Sequence, residues 1–104
     1  MHVPTRLFHG SPDDKTVLVA GTFVTKRFKD ACKFGYRRAV QSGSEFVYVH
    51  RISGDAKTFP DPNRDGSFIL SKDALVMDTQ KLGTFDLPFK LRKWKLDEPV
   101  EIVK

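Results

Sequence analysis

Apolar and polar positions alternate along this chain in short runs, broken once by a stretch with a different period. Residues 6–11, RLFHGS, place two apolar residues ahead of a histidine and then meet Pro12 and the polar pair Asp13-Asp14, so a first strand is predicted over residues 5–9. Residues 17–20 and 22–25 are β-branched runs on either side of Gly21, read as one bent strand or two short ones. Over residues 27–41 the period changes to that of a helix. Phe28, Ala31, Cys32, Gly35, Tyr36 and Ala39 gather on one arc, while Arg27, Lys29, Asp30, Lys33, Arg37 and Arg38 fill the remainder. Thr25 is the expected N-cap, and Ser42-Gly43-Ser44 ends the helix. Phe34 is the exception, an aromatic that the wheel sets among the arginines.

The segment EFVYVHRI, residues 45–52, is apolar on both alternations and reads as a central strand covered on both faces. Residues 54–66, GDAKTFPDPNRDG, form the longest expected loop, of a length that often carries function. SFIL at 67–70 and ALVM at 74–77 follow as short strands, and LPFKLRKWKL at 87–96 with VEIV at 100–103 is expected to supply one or two more. The sum is a single α+β domain over residues 1–104, with two small antiparallel sheets packed on each other and one main amphipathic helix.

Composition narrows the class. A chain that is 39% hydrophobic and 30% charged fits a soluble globular protein and argues against general disorder. No apolar run approaches a membrane span and the start has no signal-peptide pattern, so a cytoplasmic protein without membrane contact is expected. The one cysteine, Cys32, has no partner for an internal disulfide or a zinc cage, and its place on the apolar arc makes it a small core residue. His2, His9 and His50 lack metal-ligand spacing and attendant carboxylates, so no metal is expected. The formal net charge of +5 resides in the first half, much of it on the predicted helix. That face is either a solvated surface or one that attracts nucleic acid and phosphate-bearing ligands. Residues 89–95, FKLRKWK, raise a parallel choice: as a strand they set Lys90, Arg92 and Trp94 on one side, either as a stacking and phosphate-binding surface or as a basic edge guarded against pairing.

His9 also has two readings, as a satisfied hydrogen-bonding residue at a turn or as an imidazole offered to a ligand beside a glycine that permits close approach. The order of LFHGS at 7–11, GTFVT at 21–25, DACKFGY at 30–36 and EFVYVHRI at 45–52 resembles the ADP-ribosyltransferase superfamily, in the branch of the diphtheria-toxin-like enzymes and poly(ADP-ribose) polymerases. The resemblance covers roughly the first half of the chain. It implies an ADP-ribosyltransferase-like fold and NAD as substrate. By position His9 would hold the nicotinamide-side ribose, the Gly10 backbone would pair with the carboxamide, and Tyr36 would stack on the nicotinamide ring, with Ser11 and Thr22 completing the cofactor-binding set. Family members usually carry an acidic residue where this chain has Ser67. The chain has no glutamate between Glu45 and Glu98; the acidic candidates are Asp65, on the turn before Ser67, and Asp73 beyond the strand. Asp65 is the expected source of the carboxylate, with Ser67 offering a hydrogen bond without charge.

The resemblance thus implies a small NAD-dependent ADP-ribosyltransferase, of the phage-effector or toxin type, acting on a protein or nucleic-acid target. A non-catalytic basic module that recognises nucleic acid or an acidic protein is the alternative.

Overall fold

The computed structural model describes residues 6–93. Along the chain these form β1 (Leu7–Ser11), β2 (Val17–Leu18), β3 (Phe23–Thr25), α1 (Phe28–Ser42), β4 (Phe46–Ile52), β5 (Thr58–Pro60), β6 (Ser67–Leu70), β7 (Ala74–Leu75), β8 (Asp78–Gly83) and α2 (Leu87–Lys93). Six strands make one sheet in the order β5-β6-β3-β1-β4-β8, and β2 pairs with β7 as a separate ribbon. Every pairing is antiparallel. The α+β class stands. The two sheets are unequal, however, because the second has only two strands.

Alternation along β1 shows how the layers are built. Phe8 points to the helical side, where it meets Phe28 edge-to-face at 5.5 Å and joins Ala31, Cys32, Ala39, Val47, Val49, Leu82 and Leu87. Leu7 points the other way and packs with Val24, Ile52 and Leu70 beneath Leu18 of the ribbon. The sheet is therefore covered on one face by α1 and α2 and on the other by β2-β7.

Helix α1 starts at a different residue from the expected cap. Arg27 occupies the N-cap position without a side-chain cap bond, and Thr25 Oγ1 instead accepts the Arg27 N–H at 3.2 Å. At the other end Gly43 takes φ 72°, its N–H donating to Val40 O and the Ser44 N–H to Ala39 O, the two bonds of a Schellman close.

Three expectations are corrected. Residues 87–93 are a helix and not a strand. Leu87 and Leu91, one turn apart, pack on the core, and Pro88 sits in the first turn, where its missing N–H costs little. Lys90 and Arg92 accordingly do not share a strand face, while Trp94 and residues 100–103 lie outside the described residues. The strand expected at 74–77 shortens to Ala74–Leu75, and β8 follows it in the polar sequence DTQKLG, pairing with β4 at the sheet edge with an Arg51–Asp78 ion pair at one end. The long loop contains β5, leaving residues 61–66 as the turn of a β5-β6 hairpin.

Candidate functional site

Helix α1 lies over β1 and β4 and reaches β3 only marginally. Gly10 and Gly35 set this crossing: a Cβ on Gly10 would stand 1.9 Å from Ala31 O, and one on Gly35 would stand 2.4 Å from Val47 Cγ1. Strands β3, β6 and β5 therefore extend beyond the helix. Between that wing and the helix flank is a cleft of about 470 Å³, lined among others by His9, Gly10, Phe34, Arg38, Asp61, Arg64 and Ser67. Its floor begins with Phe23 and Ile69, which pair across β3 and β6, and the row continues outward to Phe59. Phe23 and Phe59 remain 51% and 48% exposed because no helix covers them.

The sheet opens at the head of this cleft. β1 and β3 share one bridge, Phe8 with Thr25, and then part. A continued ladder would bring the Gly10 N–H to the Phe23 carbonyl. Here that carbonyl lies 2.7 Å from His9 Nδ1. A carbonyl only accepts, so Nδ1 carries the proton and Nε2 is left as an acceptor. Burial of the ring pushes the His9 pKa from 6.5 down to about 4, outweighing the bond to Phe23, with smaller contributions from Lys15, His50 and Arg38. His9 is thus neutral at neutral pH. Its cross-strand neighbour His50 is fully buried and satisfied, with Nε2–H donating to Asp13 O at 3.1 Å and Nδ1 accepting from Thr79 Oγ1 at 2.9 Å. Burial lowers its pKa as well.

These two histidines set a pH dependence. Both are held neutral in the folded protein but titrate near 6.5 when unfolded, so their contribution to stability is complete above that value. Acidification removes it, because the unfolded chain binds protons that the folded chain refuses. The urea midpoint is expected to fall steadily from pH 7 to pH 5, and a His50→Asn variant should show a flatter profile over the same range. An equally steep profile in the variant would contradict the assignment.

The opposite wall is the β5-β6 turn. The Asp61 N–H donates to Ser67 O at 3.0 Å, which continues the hairpin register by one pair and sets Asp61 across from Ser67. Asp61 Oδ1 accepts the Asn63 N–H at 2.9 Å, and no hydrogen bond occupies Oδ2 among the described residues. From the same turn Arg64 reaches over the cleft, its guanidinium carbon 4.4 Å from the centre of the Phe34 ring. Asp65 is exposed and lines an adjoining outer concavity of about 510 Å³ with Lys26 and Gly66.

The structure brings His9, Gly10 and Ser67 to one cleft and sets Asp65 beside it. Ser11, Thr22 and Tyr36 fall elsewhere. Ser11 is buried, with its Oγ accepting the Asp13 N–H at 3.1 Å, and Thr22 serves a turn through its backbone, donating to Val19 O and accepting from the Leu70 N–H. Tyr36 is partly buried against the core cluster of Phe8, Phe28 and Ala31 and does not line the cleft. Two residues of helix turn the chain by about 200°, so Phe34 and Tyr36 lie on opposite flanks of α1 and only Phe34 meets the cleft. The sequence held a sign of this, since Phe34 is the aromatic off the apolar arc. Gly10 has a packing role that sequence reading did not reveal. Tyr36→Ala is expected to cost about 2 kcal/mol of stability through lost packing.

Cys32 is fully buried, and burial pushes its thiol up to about 12, which removes it as a nucleophile. Among the described residues no group of three His, Cys, Asp or Glu side chains could hold a metal ion, and no helix is long and apolar enough to cross a membrane. No family model matches the chain, and no curated protein or solved structure is significantly similar to it.

Proposed function

We propose that this chain is a small NAD-dependent ADP-ribosyltransferase of the ADP-ribosyltransferase-like fold. The observation that carries the reading is the parting of β1 from β3, which leaves the His9 Nε2 acceptor and the Gly10 backbone edge at a cleft with a carboxylate, Asp61, on the opposite wall. NAD joins a flat amide-bearing ring to a hydroxyl-rich sugar and a diphosphate. Each part has a counterpart in the cleft. The Gly10 N–H and C=O suit the carboxamide of the flat ring, Nε2 of His9 can accept from a ribose hydroxyl, and Arg38 and Arg64 supply positive charge for the phosphates.

In the reaction the glycosidic C–N bond breaks and its electron pair neutralises the pyridinium nitrogen as nicotinamide departs. The ribosyl carbon left behind is cationic, and Asp61 stabilises it electrostatically. A nucleophile of the target then donates its pair to that carbon and loses a proton to solvent. Ser67, across the hairpin from Asp61, contributes a hydrogen bond and no charge.

Calorimetry with NAD, paired with chromatographic detection of nicotinamide, tests this reading. His9→Ala should weaken NAD binding about tenfold, consistent with losing one hydrogen bond. Tyr36→Ala should leave the affinity unchanged in the folded fraction. Protein that neither binds NAD nor releases nicotinamide would leave the basic binding module as the better account.

A further inference from the structure

We propose that the solvent face of α1 and the mouth of the cleft dock single-stranded nucleic acid, which is thereby the acceptor of the transferred group. The acceptor role rests on the reading of the cleft as an NAD site, whereas the docking surface is argued from charge and ring geometry alone.

Lys33 and Arg37 are both exposed and one helical turn apart, so their charges form a ridge on the outer face of α1. Arg38 is also exposed and lines the cleft, so positive charge continues from the ridge into it. Asp30 is the one acidic residue in α1, and no ion pair ties Lys33, Arg37 or Arg38 to a carboxylate among the described residues. Such an uncompensated ridge attracts a polyanion.

The mouth distinguishes between polyanions. Arg64 is stacked on Phe34 across the cleft, and Lys26 lies 5.3 Å from the centre of the Phe68 ring in the adjoining concavity. A planar base can take the place of a stacked guanidinium on Phe34, or enter between ring and guanidinium, because every base has a π-face. An acidic peptide neutralises the cations but has no counterpart for the ring. Duplex nucleic acid keeps its bases paired within the stack and cannot deliver one to a recessed ring. Charge ridge and aromatic mouth together therefore favour a single strand.

Fluorescence anisotropy without NAD tests the surface, using a labelled single-stranded oligonucleotide of about 12 nucleotides, its blunt duplex and polyglutamate as probes. The single strand should bind tightest, with log K falling linearly against log salt. Lys33→Ala and Arg37→Ala should each reduce that slope by about 0.7, whereas Phe34→Leu should lower affinity about tenfold and leave the slope unchanged. Equal or tighter binding of polyglutamate or duplex would overturn the proposal, as would a slope that the ridge variants leave unaltered. Calorimetry with NAD on the same preparation separates the two readings. If NAD binds and the oligonucleotide does not, the docking surface and the acceptor assignment fail and the transferase reading stands. If the oligonucleotide binds as described and NAD does not, the transferase reading fails and the docking surface stands.

Discussion

Gly10→Ala is expected to lower the urea midpoint strongly, with a loss of at least about 3 kcal/mol, at the upper end of what overpacking costs. The added methyl would lie 1.9 Å from the carbonyl oxygen of Ala31 and 2.9 Å from its carbon. Those atoms belong to the backbone of α1, so no rotamer change relieves the clash and the whole helix must lift from the sheet. Lifting it also disturbs the contact from the other side, because Gly35 approaches the Gly10 backbone at about 3 Å from its own Cβ position. The apolar layer formed by Phe8, Phe28, Ala31 and Cys32 would then lose its cover. For a domain whose total stability is on the order of 5–15 kcal/mol, this is a large fraction. Urea unfolding followed by circular dichroism provides the measurement. Gly43→Ala serves as the comparison, since nothing lies within 4 Å of its added methyl and only its φ of 72° opposes the change. An unchanged midpoint for Gly10→Ala would show that the helix does not sit on the strand as described.

This contact also marks where the sequence stops being informative. Period identified α1, because fifteen residues give several turns over which an apolar arc accumulates, and the β-branched or aromatic runs identified β1, β3, β4 and β6. β8 was invisible by the same criterion. An edge strand with Gln80 and Lys81 has little apolar alternation to display, and its pairing is supplied by β4. α2 was misread because F-K-L-R-K alternates with a period of two as clearly as any strand, and only the spacing of Leu87 to Leu91 reveals the helix. The site divides along the same line. His9 and Gly10 could be located from a local motif at the end of β1. Phe34 could not be chosen over Tyr36, since which flank of an amphipathic helix faces an opening depends on where the sheet extends past it. Asp61 was hidden by register: five residues separate it from Ser67 in sequence, and the β5-β6 hairpin sets the two opposite each other.

That register leads to the second large effect. Asp61→Asn is expected to slow nicotinamide release from NAD by roughly 100-fold or more, the usual consequence of losing one preorganised electrostatic contact to a developing charge. NAD affinity should change only a few-fold, because a carboxylate in the role proposed for Asp61 acts mainly as charge builds on the ribosyl carbon. Asparagine is the informative replacement. Its amide oxygen can still accept the Asn63 N–H that Asp61 Oδ1 now holds at 2.9 Å, so the turn keeps its shape while the charge is removed. Asp65→Asn provides the contrast: Asp65 is exposed in the outer concavity and is expected to alter the rate by no more than a few-fold. The order of sequence, in which Asp65 stands two residues before Ser67, favours the opposite result. Single-turnover release measured for both variants therefore decides between proximity along the chain and proximity across the hairpin. A slow Asp65→Asn beside an unimpaired Asp61→Asn would assign the carboxylate to the turn that precedes β6 and require that turn to fold inward when NAD binds.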